Sequence, residues 1–194
     1  MIDVGRRAVL VELDSLADAA ALAGRLRSAA PVGVEDVVCG LRTVLVRGSG
    51  DLRAAIAPSL SSVADRPTSV PDVVRIPVVY DGDDLAEVAE RCGVDDVVGL
   101  HAGATYTVAF CGFAPGFAYL TGLPTALQLP RRATPRPRVP AGSVAIAGEL
   151  AAVYPTASPG GWHLLGRTDL TLFDVDRDPP ALLSPGTVVR FDPR

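Results

Sequence analysis

The chain has 194 residues, 18 basic and 22 acidic side chains, and a formal net charge of −4, so it offers no general attraction to nucleic acid or anionic lipid. Its length allows one large or two small domains, and a hydrophobic content of 48% fits an ordinary soluble globular protein. No apolar run approaches the ~18–20 residues that span a bilayer, no signal core opens the chain, and the three cysteines lack paired spacing. We therefore expect a cytoplasmic protein with reduced thiols and no metal site.

The first 75 residues predict six elements in the order β-α-β-β-α-β. The elements are strands at 6–13, 34–39, 42–47 and 72–79 and helices at 15–28 and 51–61. Asp14 or Ser15 serves as the N-cap of the first helix, and Gly40 joins the second and third strands as a tight hairpin. This order is that of the split βαβ, or ferredoxin-like, arrangement. Nothing in it suggests chemistry.

The composition changes in the second part of the chain, because all the aromatic residues lie at or beyond Tyr80. The expected elements are helices at 83–92 and 94–101, a strand at 105–110, and short apolar runs at 143–147, 150–154, 163–165, 170–173 and 188–191. Short runs separated by turn residues are typical of a compact β-barrel or sandwich. The sequence thus predicts an α+β protein with two domains, residues 1–75 and 76–194.

Residues 110–168 form the candidate functional segment. The segment contains eight prolines, five arginines and six aromatic residues. Proline fixes φ and glycine permits positive φ, so this composition predicts rigid turns. A loop-rich segment of this length is either disordered or built as a site, and its aromatic content favours a built site.

Any anion binding by this chain must use arginine or backbone groups, because the sequence contains no lysine. The absence of lysine excludes a Walker-type phosphate loop, a Schiff-base lysine and a biotinylated lysine. Four arginines lie within eight residues and are surrounded by prolines: Arg131, Arg132, Arg136 and Arg138. They form either a solvated charged loop or, because proline lowers the entropy of holding them, a bidentate receptor for carboxylate or phosphate.

Other candidate residues have equally open alternatives. The chain has two histidines, and His101 is either a general base or a structural residue at a helix end. Residues 158–162 (SPGGW) form either a β-turn with a core tryptophan or one wall of a site that Arg167 and Thr168 also reach. Two histidines without a carboxylate cluster do not indicate a metal site.

Six motifs carry a resemblance to a known family. They are His101 with Tyr106, GF-x-PGF-x-YL at 112–120, Pro130-Arg131, PR-x-x-VPAGSV at 135–144, Tyr154-Pro155, and SPGGW-x-x-x-GRT at 158–168. Together they resemble the family of the 5-oxoprolinase B subunit, also called allophanate hydrolase subunit 1 and sporulation kinase A inhibitor. They equally resemble the first half of the carboxyltransferase domain of urea carboxylase, subdomains C and D.

The resemblance implies a ferredoxin-like N-terminal domain, a cyclophilin-like β-barrel and two partners, which are the C subunit of the same family and a third 5-oxoprolinase subunit. Such complexes open 5-oxo-L-proline to L-glutamate at the expense of ATP, and the lactam oxygen is expected to be phosphorylated. ATP, with Mg, is expected to bind with or on the partner subunits, so the chain alone would be inactive. The alternatives are a module that inhibits a sensor histidine kinase and an allophanate hydrolase-like subunit acting on a urea-derived amide.

The resemblance also assigns roles to residues. The expected catalytic residues are His101, Arg136 and Arg167. The expected substrate- or anion-binding residues are Phe113, Phe117, Tyr119, Arg131, Ser143, Tyr154, Gly160, Gly161, Trp162 and Thr168. One departure stands out, since Leu150-Ala151-Ala152 occupies a position where relatives usually carry a polar Gln-Thr-Gly tract.

Overall fold

The structure is a computed structural model that describes residues 1–61 and 73–194. The chain forms two compact units, Met1–Val70 and Pro71–Arg194. The predicted α+β class is confirmed, since both helices and strands occur in each unit. The boundary predicted after residue 75 lies within a strand of the second unit.

The described part of the first unit, residues 1–61, is a four-stranded antiparallel sheet with two helices. Its elements are β1 (Ile2–Asp3), β2 (Ala8–Glu12), α1 (Leu16–Ala29), β3 (Val34–Cys39), β4 (Thr43–Gly48) and α2 (Leu52–Ser61). The strands are ordered β1-β2-β4-β3. Helix α1 begins at Ser15, whose Oγ accepts a hydrogen bond from the Asp18 N–H at 3.1 Å. This cap confirms the predicted start of the helix.

The strand predicted at 72–79 does not belong to the first sheet. Its described part, β5 (Val73–Val78), runs parallel to a strand at the end of the chain, Val188–Pro193. The edge position beside β2 is taken instead by β1, in which Ile2 pairs with Leu10. The prediction that residues 72–79 form the last strand of a split βαβ sheet is wrong. A pattern of apolar residues identifies a strand, but it does not identify the strand with which it pairs. The ferredoxin-like arrangement of the first unit stays a prediction.

Over residues 73–194, the second unit contains two helices, a seven-stranded sheet and a two-stranded ribbon. Its further elements are α3 (Leu85–Cys92), α4 (Val97–Gly103), β6 (Tyr106–Cys111), β7 (Ala118–Thr121), a 3-10 turn (Thr125–Leu127), β8 (Arg136–Val139), β9 (Ser143–Ala147), β10 (Leu150–Val153), β11 (Ser158–Gly160), β12 (His163–Arg167) and β13 (Val188–Pro193). The large sheet has the order β12-β9-β10-β7-β6-β13-β5, and β8 pairs with β11 separately. Its interior is an aliphatic core that includes Ile76, Leu120, Ile146 and Leu165.

The large sheet curls until its two ends meet. Val79, just after β5, and Arg167, at the end of β12, exchange two backbone hydrogen bonds of 2.9 Å. Gly166 permits this approach, since a Cβ at that position would lie 2.3 Å from the Val79 carbonyl oxygen. The sheet is therefore a nearly closed barrel, which confirms the predicted architecture. We call the junction of Val79 with Arg167 the seam.

Two details of the barrel differ from prediction. The apolar run at 170–173 contributes a single bridge, between Phe173 and Ala181, and no strand. The segment predicted as turns contains β7 and also the ribbon of β8 and β11. Proline is compatible with such a ribbon because each strand has a free edge where no N–H is required.

Candidate functional site

Five aromatic residues predicted for the site come together on the outer side of the barrel sheet. Along β7 the side chains alternate, so that Ala118 and Leu120 enter the barrel core while Tyr119 faces the other way. Ring centroids lie 4.9 Å apart for Phe117 and Tyr119, 5.3 Å for Phe117 and Tyr154, and 5.9 Å for Phe117 and Trp162. These distances and the mostly edge-on geometries are those of favourable aromatic pairs. With Phe113, these residues are named the aromatic face.

Phe113 forms the exposed lip of the aromatic face. Its side chain is 64% exposed, whereas Phe117 and Tyr154 are 2% exposed and Trp162 is 4% exposed. Phe113 also adopts a φ of 73°, which is unfavourable for a residue with a side chain. The turn between β6 and β7 thus holds a large apolar ring in solvent, packed edge-on against Phe117 at 5.3 Å.

Small side chains of β9 and β10 pack against these rings. Ala145, Ala147, Leu150 and Ala152 belong to the same buried cluster as Phe117, Tyr154 and Trp162. Ala151 points the opposite way, into the barrel core. Two of the three residues that depart from the polar tract of relatives therefore help to form the apolar floor of the aromatic face.

Of the two glycines of the SPGGW turn, close contact requires glycine only at position 160, since the nearest atom that a Cβ on Gly161 would contact lies 3.6 Å away. A Cβ on Gly160 would lie 2.3 Å from the Tyr154 hydroxyl, so only glycine lets β11 pass over that ring. The Gly161 carbonyl accepts a hydrogen bond of 2.8 Å from the Arg132 N–H. Burial raises the pKa of the Tyr154 hydroxyl, and the charges of Arg131 and Arg136 oppose that rise. The hydroxyl is therefore a neutral hydrogen-bonding group at ordinary pH.

Arg131 stands over the aromatic face. Its guanidinium carbon lies 5.9 Å from the centroid of the Trp162 ring, which is within the range of a cation–π contact. Throughout residues 1–61 and 73–194, the structure shows no carboxylate paired with Arg131. Its positive charge is therefore available to an anion that approaches the rings.

Arg132 and Arg136 are already neutralised by a carboxylate. Both oxygens of Asp84 accept hydrogen bonds from Arg136, at 2.6 and 2.9 Å, and Oδ1 also accepts from Arg132 at 2.8 Å. The Leu164 N–H donates to Asp84 at 2.7 Å, and Arg132 reaches Glu87 at 2.8 Å. Burial would raise the pKa of Asp84, but these hydrogen bonds and charges outweigh it and hold the pKa below its usual range. Asp84, Glu87, Arg132 and Arg136 are named the Asp84 cluster.

Arg167, Ser143 and Thr168 lie at the seam. The Arg167 side chain is 62% exposed and donates to Asp81 at 2.8 Å. Ser143 pairs with Arg167 across β9 and β12, and the Thr168 hydroxyl accepts from the Leu170 N–H at 3.2 Å. Ser143 also contacts the backbone of the aromatic face, because its carbonyl accepts a hydrogen bond of 2.9 Å from the Tyr154 N–H. The binding roles expected of the three residues stay predictions.

His101 lies in the core of the second unit. The ring is fully buried, is hydrogen-bonded through Nδ1 to the Tyr80 hydroxyl at 2.7 Å, and packs 4.5 Å from the Phe191 ring. The Tyr106 hydroxyl donates to the His101 carbonyl at 2.9 Å, which explains the pairing of these two motif residues. Burial lowers the pKa of His101 to about 3. A neutral ring sealed from solvent holds α4 on the barrel and does not reach a substrate, so we leave His101 out of the candidate site.

The depressed pKa of His101 predicts a loss of stability in acid. The unfolded chain takes up a proton below about pH 6.5, whereas the folded ring stays neutral down to about pH 3, so unfolding is favoured as the pH falls through that window. Between pH 7.5 and 5 the contribution of this residue should fall by about 2 kcal/mol. Denaturant unfolding of the wild type and of His101→Leu at both pH values measures it. Equal pH dependence in the two proteins would contradict the assignment.

Asp84, Glu87 and His163 were not predicted as site residues from the sequence. Asp84 precedes α3 and resembles an ordinary helix cap, and its arginine partners lie 48 and 52 positions away. His163 lies in an apolar run, and nothing in the neighbouring sequence indicates that its ring binds the Pro130 carbonyl, 33 positions away. No group of three or more metal-ligating side chains occurs in the described part of the chain, and none of its helices is long and apolar enough to cross a membrane.

Solved structures define the class of fold. The crystal structure of TTHA0988 superposes with a TM-score of 0.83 at 38% identity, covering 97% of this chain and 40% of that one. The Kluyveromyces lactis urea carboxylase superposes with a TM-score of 0.74 over 99% of this chain and 21% of its own, and at 22% identity it shows the fold alone. The chain thus shares the fold of part of each of these two larger proteins.

The sequence places the chain within a family. It belongs to the carboxyltransferase domain family, subdomains C and D, whose model matches residues 1–183. It is 56% identical over 126 residues to the 5-oxoprolinase B subunit of Escherichia coli O157:H7, which is 62% of this chain and 58% of that protein. It is 45% identical over 124 residues to the 5-oxoprolinase B subunit of Bacillus subtilis strain 168, which is 61% of this chain and 52% of that protein. The matches thus span just over half the length of these relatives.

Proposed function

We propose that this chain is a subunit of a 5-oxoprolinase, which opens 5-oxo-L-proline to L-glutamate with ATP and partner subunits. The observation that carries the proposal is the 56% and 45% identity to two bacterial proteins named as the B subunit of 5-oxoprolinase. A name of that kind supports a complex, with the C subunit and a third subunit as the proposed partners. The activity of the whole assembly is part of this proposal.

The aromatic face matches the chemistry of that substrate. 5-Oxoproline is a small five-membered lactam with a carboxylate beside the ring nitrogen. Its ring is suited to pack on Phe113 and Tyr119, and its carboxylate is suited to the guanidinium of Arg131 over Trp162. Arg136, expected from the sequence to bind the anion, is held by Asp84 at 2.6 and 2.9 Å. Arg131 is therefore the residue that we assign to the substrate carboxylate.

A complete nucleotide site does not fit the described residues. The chain has no lysine, and Arg132, Arg136 and Arg167 are ion-paired internally. No metal-binding cluster occurs in residues 1–61 and 73–194. We propose that ATP and Mg bind with or on the partner subunits, and that this chain binds the lactam and orients it toward them.

Replacing Arg131 with alanine should lower kcat/KM for 5-oxoproline by about 10- to 100-fold, mainly through KM. A hydrogen bond to a charged group contributes about 1.5–3 kcal/mol, and the lost contact is one made already in the bound ground state. Glutamate formation by the chain co-expressed with its partner subunits measures the effect. Arg138→Ala is the matched control, because Arg138 is an exposed arginine of the same segment that is unpaired in the described structure.

Four outcomes would contradict the proposal or favour another function. Full activity of Arg131→Ala would reject the site while leaving the function intact. Absence of glutamate from every assembly with partner subunits would reject the function. Turnover of a urea-derived amide, or capture of the dimerisation helices of a histidine kinase without turnover, would favour the two alternatives that the family resemblance raised.

A further inference from the structure

The segment 129–132 is tied to the barrel on both sides of Arg131. The Pro130 carbonyl accepts a hydrogen bond from His163 Nε2 at 3.0 Å, and the Arg132 N–H donates to the Gly161 carbonyl at 2.8 Å. Gly161 and His163 are the two neighbours of Trp162 in sequence. The residues that flank Arg131 are thus bonded to the residues that flank Trp162, which brings the guanidinium over the indole ring.

His163 supplies the only side-chain hydrogen bond among these ties. The ring is fully buried on β12, where it faces Ile146 of β9. A carbonyl oxygen only accepts, so Nε2 carries the proton and donates. Within the described residues Nδ1 of His163 has no hydrogen-bond partner, so the bond to the Pro130 carbonyl is the one that the ring makes there. Burying a polar ring for one hydrogen bond is unfavourable compared with an apolar side chain, which points to a need for that bond.

We propose that His163 is a positioning residue, which fixes the Pro130 carbonyl so that Arg131 stays over Trp162 and meets an incoming carboxylate. The proposal rests on the function proposed above for Arg131. An arginine side chain has large rotamer entropy, and fixing the backbone that carries it before binding reduces the ordering that the ligand must bring about. When the histidine donor is removed, the bond from Arg132 to Gly161 still holds the other side of Arg131, and the Leu129 carbonyl still accepts from the Gly148 N–H. The change is therefore confined to the Pro130 carbonyl, which precedes Arg131 directly.

Trp162 is the chain's only tryptophan, so its fluorescence reports on this position alone. A guanidinium beside the indole attracts the anionic quencher iodide and repels the cationic quencher caesium. Trp162 is 4% exposed, so both quenching constants are small, and their ratio is compared because the limited access is common to both ions. Arg131→Ala should lower the ratio of iodide to caesium quenching constants by about four- to tenfold, since one charge about 6 Å away in water acts on the two ions with opposite sign. If His163 positions Arg131, His163→Leu should lower the ratio similarly.

Two further variants make the test specific. His163→Gln places an amide N–H near the position of Nε2 and should keep the wild-type ratio, whereas the shorter His163→Asn should not. His163→Asn also replaces the leucine variant if that protein does not fold. In the Arg131→Ala background, His163→Leu should change the ratio no further, since the charge it positions is already gone.

A purely structural role gives a different result. Loosened packing around Trp162 would raise iodide and caesium quenching together, in either background, and would overturn the proposal. A wild-type ratio in His163→Leu, or equal behaviour of the glutamine and asparagine variants, would also overturn it. Because the measurement needs no turnover, the positioning role stands or falls separately from the 5-oxoprolinase function.

Discussion

Replacing Asp84 with alanine is expected to lower the free energy of unfolding of the second unit by about 3–5 kcal/mol. The carboxylate is 3% exposed and accepts hydrogen bonds from Arg132, Arg136 and the Leu164 N–H. Its removal leaves the partly buried guanidinium of Arg136 and the buried Leu164 N–H without this partner, while Arg132 keeps only Glu87. Denaturant unfolding followed by Trp162 fluorescence measures the change, since the only tryptophan lies in that unit.

Asp81→Ala provides the matched control for the Asp84 experiment. Asp81 lies three residues earlier and also pairs with an arginine, but its side chain is 44% exposed and that of Arg167 is 62% exposed. Exposed ion pairs contribute little, so the loss should be below about 1 kcal/mol. Equal losses for the two variants would show that the Asp84 cluster is no stronger than a surface ion pair. The Asp84 cluster should also make the second unit sensitive to acid, because the pKa of Asp84 is lower in the folded protein than in the unfolded chain. The stabilisation by this carboxylate is fully present above the pKa of the unfolded chain, and it is lost as the pH falls through the pKa of the folded protein.

Replacing Gly166 with alanine is expected to lower the free energy of unfolding of the second unit by about 3 kcal/mol, at the upper end of the range for overpacking. The added Cβ would lie 2.3 Å from the Val79 carbonyl oxygen and 2.9 Å from the Tyr80 Cα. Both contacts are with backbone, so no side chain can rotate away, and the seam must open instead. The same denaturant unfolding, monitored through Trp162, measures the loss.

Gly103→Ala is the control for the seam. Gly103 ends α4 in the same unit, a Cβ added there would have no heavy atom within 4 Å, and its φ is not positive. Alanine there should change stability by less than about 0.5 kcal/mol, in either direction. A loss of similar size at Gly103 and Gly166 would mean that the cost is a general one of glycine replacement and has nothing to do with barrel closure.

The elements with clear periodicity were predictable from sequence. The first helix was expected at 15–28 and is found at Leu16–Ala29, and the run at 143–147 coincides with β9. In both cases local residues determine the outcome, through a cap in the helix and through a bounded apolar run in the strand. The partner of β5 was not predictable, because Val73 pairs with Val188 across most of the second unit.

The site was predictable in its aromatic part and less so in its charged part. Glycine and proline motifs pointed to Phe113, Phe117, Tyr119, Tyr154 and Trp162, which the structure brings together. The same motifs could not tell a free arginine from a paired one, since the partner of Arg136 is 52 residues away on another element. Nor could spacing reveal that His101 is sealed in the core. Binding roles for these residues remain predictions for the experiments above.

The three alanines that pack against the aromatic rings set how much volume lies under the face. Ala145, Ala147 and Ala152 are all buried on neighbouring strands, and Ala145 and Ala152 are direct cross-strand partners. Replacing one of these alanines with a larger aliphatic residue would add volume beneath the aromatic rings at one position, and it would change no charge. Under the proposed function, the alanines would set the selectivity for ring size and Arg131 the selectivity for the anionic group, so the two traits would be adjustable independently.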